Sequence, residues 1–375
     1  MDPALILYLG TYPPRECGIA TFTKDLTIAM DSKFSPSLKS KIIAMTNRSL
    51  NFYNYSEDVL FEIKDDDGTS YIEIAKKINK IKNVELINIQ HEFGIFGGEY
   101  GEDLISFITH MEKPVVITFH TIIPNPNKKL KKIIRKLASK VKYIIVMAKI
   151  GIDILRDDYG IDNKMIFIPH GTPAVPFISS IKMKKMLGYE DKIILSSFGM
   201  MNPGKGYEYI LEALPEVIEK FPNVIYLIIG ATHPIVKQNE GEKYRNYLEK
   251  KVNELRLQNN VIFCNKYVTL EEIVQLLLAS DIYISSNLNP NQIVSGTLAY
   301  AMACGKVVIS TQFLHAKDAI IPERGILINF RDPKSYIDAI IKVLLNPELK
   351  EQLERNIYAY TRNTIWSNIA LAYFK

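Results

Sequence analysis

Short runs rich in isoleucine and valine alternate with helical stretches along the whole chain. Continuous apolar runs of this length are typical of strands that are buried on both faces of a parallel sheet. Their alternation with helices predicts an α/β protein with right-handed crossovers, and the pattern restarts near residue 190, which predicts two doubly wound, Rossmann-like domains. The predicted strands are Ala4–Leu9, Lys41–Met45, Val84–Ile89, Val115–Phe119, Tyr143–Met147 and Met165–Ile168, followed by Ile193–Phe198, Val224–Ile229, Val261–Cys264, Ile282–Ser285 and Val307–Ser310.

The length of the chain agrees with two domains, because 375 residues exceed the roughly 250–300 residues at which a single core stops growing. Gly171, Pro173 and Pro176 interrupt the first series of elements, so we place the domains at residues 1–175 and 176–375. From Pro333 onward the pattern is helical, and this tail either packs on its own domain or crosses back to the first. Such sheets bind ligands at the carboxyl ends of their strands, so the two domains are expected to face each other across a central cleft.

Composition narrows the class of protein. Hydrophobic residues make up 47% and charged residues 23% of the chain, which excludes a disordered chain or a coiled coil. The 46 basic and 41 acidic residues leave a net charge of +5, too small to indicate nucleic acid binding. Cys17, Cys264 and Cys304 are far apart and odd in number, which favours a reducing compartment over a disulfide framework or a metal site. No apolar run approaches the roughly 20 residues of a membrane span, and the first residues do not resemble a signal peptide, so a cytoplasmic protein is expected.

In the first predicted domain, candidate binding residues directly follow several of the strands. Gly18 lies in the loop after the first strand, where it would let an anion approach the free amides of a helix N-terminus. This loop is not the G-x-G-x-x-G fingerprint of a dinucleotide enzyme. His91 and Glu92 follow another strand beside glycines, which suits hydrogen bonding to sugar hydroxyls, although a turn with a solvated histidine is the other interpretation. His120 and His170 follow two further strands, so three of the six histidines lie where a site is expected.

The second predicted domain has a similar arrangement around a lysine. The segment Ser197–Gly206 combines a strand, a loop with glycines and the start of a helix, and Lys205 offers a point charge for a phosphate. It is not a Walker motif, because no Gly-Lys-Ser/Thr occurs, and an exposed loop lysine is the other interpretation. Further along, Ser295, Gly296 and Thr297 would open a helix and present a second set of amides that faces Lys205.

A basic segment at residues 127–142 contains no acidic residue. Its apolar residues Leu130, Ile133, Ile134 and Leu137 recur at helical spacing. A basic amphipathic helix can lie on anionic lipid, so one interpretation of Lys128–Lys142 is peripheral contact with a membrane on its cytoplasmic face. The same apolar stripe would equally pack on the sheet of its own domain.

Together these segments resemble the retaining glycosyltransferases of family four, the group-one transferases with the GT-B fold. The resemblance covers essentially the whole chain in order and is carried by residues 12–23, Gln90–Gly98, Phe198–Gly206 and Asn289–Thr311. It implies that the second domain binds a UDP- or GDP-sugar and that the first binds a glycan, lipid or other hydroxyl acceptor. It also implies transfer of a hexose, with glucose or mannose expected, retention of configuration, and no need for a cofactor or a metal.

The resemblance further implies a role for each matched residue. Fixed positive charge and amides aimed at the leaving oxygens would stabilise the departing nucleoside diphosphate, so no protein nucleophile is required. The residues expected are His120, Asn291 and Gln292 at the reacting sugar; Gly18, Lys205, Ser295, Gly296 and Thr297 at the donor diphosphate; Tyr300 and Tyr267 at the nucleoside; and His91, Glu92 and Arg15 at the acceptor.

The chain departs from the family's pattern at the residues expected nearest the donor. The family usually has an arginine after the glycine equivalent to Gly199, where this chain has Met200, and its paired glutamates fall at Gln292 and Tyr300. A branch of the family carries an acid one residue earlier, where this chain has Asn291. An amide can hydrogen-bond a sugar hydroxyl, but it cannot place negative charge near a developing cation. Two alternatives therefore stay open: a non-catalytic nucleotide-sugar-binding partner subunit on the same fold, and another two-domain enzyme such as a sugar-nucleotide epimerase or a glycoside phosphorylase.

Overall fold

The computed structural model describes residues 2–46 and 53–375. The chain divides into two compact units, the first made of Met1–Gly171 with Thr364–Lys375 and the second of Thr172–Asn363. Each unit is built on one parallel sheet accompanied by helices. The expected fold class, an α/β protein with two Rossmann-like parallel sheets, is therefore confirmed.

The sheet of the first unit has seven parallel strands, β1 (Ala4–Gly10), β2 (Leu38–Thr46), β3 (Val59–Lys64), β4 (Val84–His91), β5 (Val115–Phe119), β6 (Tyr143–Val146) and β7 (Met165–Phe167). Their order across the sheet is β3-β2-β1-β4-β5-β6-β7. Every residue of β5 is buried, which explains its continuous apolar run. The sequence analysis did not predict β3, because this strand lies at the edge of the sheet and its more buried and exposed residues alternate.

The helices between these strands are α1 (Gly18–Phe34), α2 (Gly68–Asn79), α3 (Leu104–His110), α4 (Lys128–Lys140) and α5 (Ile150–Asp157). Polar side chains fix where several of them begin. Asp67 accepts hydrogen bonds from the first amides of α2, and the side chain of Asn127 accepts one from the amide of Leu130 in α4. Such caps satisfy amides that have no partner within the helix.

The sheet of the second unit has six parallel strands, β8 (Ile193–Phe198), β9 (Val224–Ile229), β10 (Val261–Cys264), β11 (Ile282–Ser285), β12 (Val307–Thr311) and β13 (Ile326–Ile328). Their order is β10-β9-β8-β11-β12-β13. The helices are α6 (Ser180–Leu187), α7 (Tyr207–Lys220), α8 (Pro234–Glu240), α9 (Lys243–Glu254), α10 (Leu270–Ala279), α11 (Gly296–Ala303), α12 (Leu314–Ala319), α13 (Pro333–Leu344) and α14 (Pro347–Thr361).

Both sheets contain a point at which the order of the strands reverses. In the first unit the chain runs outward from β1 to β3 and then returns to place β4 on the other side of β1. In the second unit it runs from β8 to β10 and then places β11 on the other side of β8. Loops diverge at such a switch point, which leaves a crevice at the carboxyl ends of the two strands. The fold therefore directs attention to the loops after β1 and β4, and after β8 and β11.

A buried group of charges closes the opposite, amino-terminal edge of the second sheet. Asp281 precedes β11 and accepts hydrogen bonds from the ammonium of Lys184, at 2.5 Å, and from the amide of Ile194, at 2.8 Å. Ser180 donates a further bond to the carboxylate, and the ammonium of Lys350 lies 3.6 Å from it. Asp281 and Lys184 are each only 7% exposed. These contacts connect α6, β8, β11 and α14.

The C-terminal tail is shared between the two units. Helices α13 and α14 pack within the second unit, whereas the last helix, α15 (Trp366–Phe374), packs along α1 in the first. Phe34 and Phe374 stack with their ring centroids 4.2 Å apart. A Cβ on Gly171 would lie only 2.2 Å from the indole of Trp366, so this close packing requires glycine at residue 171.

Candidate functional site

The loop after β8 holds Lys205 without an acidic partner. A 3-10 turn at Pro203–Lys205 follows the strand, and the ammonium of Lys205 donates to Oδ1 of Asn287 at 3.3 Å. Among the residues that the structure describes, no carboxylate forms an ion pair with it. Burial lowers the pKa of Lys205 to about 8, because desolvation disfavours the charged form. An anion bound here would restore the charge that burial opposes.

Close backbone approach around Lys205 depends on two glycines. Gly199 has a φ of 138°, and a Cβ on it would lie 3.3 Å from Cγ2 of Thr297 and 3.4 Å from Nζ of Lys205. A Cβ on Gly230, which follows β9, would lie 2.3 Å from the carbonyl oxygen of Gly199. A side chain at residue 199 would occupy the space beside the ammonium, and one at residue 230 would displace the backbone of Gly199.

Hydrogen bonds from the loop after β11 fix the loop that contains Lys205. The hydroxyl of Ser286 donates to the carbonyl oxygen of Lys205 at 2.5 Å, and the amide of Leu288 donates to the carbonyl oxygen of Gly204 at 2.8 Å. Lys205, Asn287 and Thr297 line one small cavity at the carboxyl ends of β8 and β11. The switch point of the second sheet thus brings together a cation, an amide side chain and the start of a helix.

The helix that starts at this cavity is α11. Ser295 is its N-cap, and the serine hydroxyl accepts from the amide of Leu298 at 3.3 Å. The amide of Ser295 itself donates to Nδ1 of His315 at 2.8 Å, so it is not available to a phosphate, contrary to expectation. Within the described part of the chain, the amides of Gly296 and Thr297 have no hydrogen-bond acceptor. These two amides carry the positive end of the helix dipole.

The other residues expected in the second domain are more widely spread. Asn291 is exposed in the β11–α11 loop, and the side-chain amide of Gln292 donates to the carbonyl oxygen of Val294 at 3.0 Å. Tyr300 packs in the hydrophobic core and is only 6% exposed, so its ring is not open to a nucleoside as expected. Tyr267 is 45% exposed and follows β10, two strands away from β8.

At the switch point of the first unit, the loop after β1 leads into α1. Its N-cap is Cys17, whose sulfur accepts from the amide of Ala20 at 3.4 Å and lies 3.1 Å from the hydroxyl of Thr11. Gly18 is the first residue of α1, and a Cβ on it would meet no atom within 4 Å. The space beside this amide is therefore open. Arg15 lies in the same loop, with its guanidinium 3.5 Å from the carbonyl oxygen of Met45.

His91, the last residue of β4, is completely buried. Its imidazole lies among the rings of Phe93, Phe96 and Phe119, and neither ring nitrogen has a hydrogen-bond partner among the described residues. Burial lowers its pKa to about 3. The structure thus excludes a solvated histidine here, and the side chain is not accessible for the expected contact with an acceptor.

Glu92 lies next to it, at the end of β4, and is partly exposed. Its carboxylate accepts from the hydroxyl of Thr121 at 2.7 Å and from the amide of Phe93 at 2.9 Å. Burial raises the pKa of this carboxyl group, although both hydrogen bonds act in the opposite direction. Two hydrogen bonds therefore fix the carboxylate of Glu92, and part of the side chain remains accessible to a ligand.

His120 and His170 belong to an aromatic cluster. The ring of Phe22 lies 4.7 Å from that of His120, 5.0 Å from that of His170 and 5.2 Å from that of Trp366. Nε2 of His120 is 2.8 Å from Oε1 of Gln90, whose own amide donates to Oδ1 of Asn88. Burial lowers the pKa of His120 to about 3 and that of His170 to about 4. Both are neutral imidazoles at neutral pH.

The basic segment forms α4, and its apolar stripe packs inward. Leu130, Ile133, Ile134 and Leu137 are all buried, so the helix cannot insert this face into lipid. Its exposed face still carries five basic residues, Lys128, Lys132, Arg135, Lys136 and Lys140, whereas the ammonium of Lys129 pairs with Glu99 and Glu102.

Within residues 2–46 and 53–375, no group of three or more histidine, cysteine or acidic side chains is placed to hold a metal ion. None of the helices in the same ranges is both long enough and apolar enough to span a membrane.

Comparison with known proteins agrees with the geometry of the second unit. Residues 179–360 match the model of the family described as glycosyl transferases group 1. This range contains Lys205, Asn287 and the whole of α11. The match covers 182 of the 375 residues, so the chain is similar to this family over its second unit. An uncharacterised glycosyltransferase of Methanocaldococcus jannaschii is 26% identical to it over 243 residues, which are 63% of this chain and 58% of the relative.

Two other curated relatives are similar to the chain at a comparable level of identity. The phosphatidyl-myo-inositol mannosyltransferase of Mycobacterium tuberculosis is 26% identical over 272 residues, which cover 69% of this chain and 66% of the relative. Spore coat protein SA of Bacillus subtilis is 26% identical over 191 residues, or 50% of this chain and 48% of the relative. The chain thus spans about half the length of the curated relatives that it matches first.

Solved structures share the fold over the full chain. HepE of Anabaena in complex with UDP superposes with a TM-score of 0.77 at 14% identity and covers 100% of this chain and 98% of its own. Sucrose-phosphate synthase of Thermosynechococcus elongatus gives a TM-score of 0.77 at 16% identity and covers 99% of this chain and 97% of its own. The two parallel sheets are therefore of the GT-B kind.

Three residues that the structure places around Lys205, Gly199 and the start of α11 were not predicted from the sequence. Asn287 lies two residues after the end of β11, so its place after a buried strand was a signal that could have been used. Gly230 follows β9 in the same way. His315 gave no signal, because it lies 20 residues from Ser295 and meets its amide only in the folded chain.

Proposed function

We propose that the chain is a retaining hexosyltransferase that uses a UDP- or GDP-sugar as donor. The observation that carries this proposal is the convergence of Lys205, Asn287 and the free amides of Gly296 and Thr297 at one switch point. A nucleoside diphosphate is the ligand that such a set of donors fits, because it presents several anionic oxygens to a cation and a helix N-terminus.

The chemistry follows from the charge that develops on the leaving group. As the glycosidic bond to the donor phosphate breaks, negative charge grows on the diphosphate and positive charge on the sugar. Lys205 and the two amides are already oriented toward the diphosphate, so they stabilise that charge without reorganisation. Attack of the acceptor hydroxyl on the same face, assisted by the leaving phosphate, accounts for retention without a protein nucleophile.

The first unit is proposed to bind the acceptor. Glu92 and Arg15 lie in the two loops at its switch point, and both are partly exposed. They offer an acceptor oxygen and a guanidinium donor for hydroxyl groups. His120 remains the candidate for hydrogen bonding to the transferred sugar, in which case it would exchange the contact with Gln90 for one with the substrate.

The test of the donor site is nucleotide binding. We expect UDP or GDP to bind the metal-free chain in calorimetry, with a clear preference over ADP. Lys205→Ala should weaken that binding by about 1.5–3 kcal/mol, the scale of a hydrogen bond to a charged group. Lys220→Ala, at an exposed lysine of α7, is the matched control. Unchanged affinity in Lys205→Ala would place the diphosphate elsewhere.

A second candidate is a catalytically impaired partner subunit that binds a nucleotide sugar. It is favoured by Gln292, whose amide is engaged with Val294, and by Tyr300, which is buried, at the positions where the family has glutamates. The two candidates differ in turnover. Slow hydrolysis of the matching nucleotide sugar by the isolated chain would support the transferase, whereas tight binding with no hydrolysis and no transfer would support the partner subunit.

The acceptor is proposed to be carried by a lipid. Two relatives are named as mannosyltransferases of phosphatidylinositol lipids, one from Mycobacterium tuberculosis and one from Corynebacterium glutamicum. The exposed basic face of α4 supports contact with an anionic bilayer by charge alone, since its apolar stripe is buried. Binding to vesicles with phosphatidylserine should disappear at high salt and on reversing Lys132, Arg135 and Lys136 to glutamate. Flotation that is indifferent to this reversal would contradict the proposal.

A further inference from the structure

The start of α12 lies against the β11–α11 loop and bonds to it at three points. The amide of Leu314 donates to the carbonyl oxygen of Pro290 at 3.0 Å, and the amide of His315 donates to that of Gln292 at 3.1 Å. In the third bond the direction is reversed, because the amide of Ser295 donates to Nδ1 of His315 at 2.8 Å. Residues 290–295 are thus held at both ends by a helix that follows the next strand.

The third bond constrains the imidazole and the serine together. Since a backbone amide donates to Nδ1, that nitrogen must be unprotonated, and a neutral His315 carries its proton on Nε2. The residue is 8% exposed and Ser295 is 3% exposed. Without the imidazole, the amide of Ser295 would be buried without an acceptor, so the loop would have to move to reach water.

Ser295 is also the residue that sets the start of α11. The hydroxyl of Ser295 accepts a hydrogen bond from the amide of Leu298 and lies 3.2 Å from the hydroxyl of Thr297. The free amides of Gly296 and Thr297 follow directly, and Thr297 lines the cavity with Lys205. Any shift of Ser295 would change the direction in which those two amides point.

We propose that His315 is a positioning residue for the donor diphosphate, which acts through Ser295 and does not itself touch the donor. Its imidazole removes one amide from the helix N-terminus and fixes the next two in the orientation that the diphosphate needs. This inference rests on the proposed function, since it assumes that a nucleoside diphosphate binds at this end of α11.

Two polar variants test whether the position of the hydrogen-bond acceptor for the Ser295 amide matters, or only its presence. In His315→Asn the amide oxygen can take the place of Nδ1, whereas in His315→Gln the oxygen lies further out, near the place of Nε2. We expect the asparagine variant to bind UDP or GDP within about threefold of the unaltered chain, and the glutamine variant about tenfold more weakly, the scale of one net hydrogen bond. His315→Leu should behave like the glutamine variant, and Lys317→Ala, at an exposed residue of the same helix, like the unaltered chain.

The measurements are calorimetry with UDP and GDP, thermal unfolding, and hydrogen exchange of residues 290–297. Faster exchange of that segment should accompany the weaker binding of the glutamine variant, while uridine and guanosine without phosphate should bind all variants alike. Equal nucleotide affinity in the asparagine and glutamine variants would overturn the inference. Failure of the unaltered chain to bind any nucleotide would instead overturn the proposed function.

Discussion

The two switch points share a topology and differ in their chemistry. In the second unit, the loops after β8 and β11 present an ammonium that lacks a carboxylate partner in the described structure, and two free amides of α11. In the first unit, the loops after β1 and β4 present a held carboxylate, Glu92, and an open helix start at Gly18. Behind them lie imidazoles whose pKa values burial has lowered far below the ordinary value. The same arrangement of strands thus presents a cation and helix amides in one unit, and a carboxylate and a helix start in the other.

Within the second unit, two lysines at opposite edges of the sheet have different partners. At the amino edge, Lys184 is buried and paired with Asp281, whereas at the carboxyl edge Lys205 donates to the amide oxygen of Asn287 and has no carboxylate partner among the described residues. The first arrangement compensates a buried charge, and the second is the one that the proposed donor site requires. Four changes would test this comparison of the two units.

Asp281→Ala should have the largest effect. Removing one partner of a buried ion pair leaves the other charge uncompensated, which costs about 3–5 kcal/mol. Chemical unfolding should therefore show a loss confined to the transition of the second unit. Asp338→Ala, which breaks an exposed pair with Lys334, is the control and should change stability by less than about 1 kcal/mol. Comparable losses of unfolding free energy in the two variants would mean that the buried ion pair contributes no more to stability than the exposed one.

Gly18→Ala and Gly68→Ala form a matched pair in the first unit. Each glycine is the first residue of a helix, and a Cβ on either would meet no atom within 4 Å. Neither change should lower the melting temperature. If a phosphate-bearing substrate approaches the amide of Gly18, the Cβ added in Gly18→Ala would occupy that space. The activation free energy obtained from kcat/KM should then rise by about 1.5–3 kcal/mol, the scale of a hydrogen bond to a charged group. Gly68→Ala should leave kcat/KM unchanged. Equal kcat/KM values would remove Gly18 from the site.

The pH dependence of nucleotide binding should report Lys205. Its pKa of about 8 lies below that of an ordinary lysine, so the charged form that binds a diphosphate is lost as the pH rises above 8. Affinity should be level below pH 8 and fall by up to about tenfold per pH unit above it. Lys205→Arg, which stays charged, should bind with no such decline. A decline that persists in the arginine variant would have to come from another group.

His91→Leu should have the smallest effect, and in an unusual direction. The ring nitrogens of His91 have no partner among the described residues, so an apolar side chain of similar size should leave stability at pH 7 unchanged or raise it by about 1 kcal/mol. Between its folded pKa of about 3 and the ordinary value near 6.5, the unfolded state binds more protons, and stability therefore falls with falling pH. The variant should lose less stability on acidification. A large loss of turnover in a stably folded His91→Leu would restore His91 to the acceptor site.

The sequence predicted the elements whose signal is local. Strands such as Val115–Phe119 are continuous apolar runs because both of their faces are covered, and Lys205 follows a strand in a loop with glycines. The edge strand β3 was missed, since a half-covered strand lacks that pattern. The burial of His91 and Tyr300 could not be predicted either, because it depends on rings and helices far away in sequence. For the same reason, nothing near Ser295 in the sequence indicates that His315 accepts a hydrogen bond from the Ser295 amide.

The packing of Trp366 against Gly171 has a consequence for how the chain is made. Helix α15 belongs to the first unit, yet it is encoded after the whole of the second unit. Domains generally fold as units during synthesis, and here the second unit is encoded without interruption between the two parts of the first. The second unit can therefore complete its fold while the surface of α1 that receives α15 is still uncovered. In the order of biogenesis, the proposed donor domain is therefore complete before the proposed acceptor domain receives its last helix.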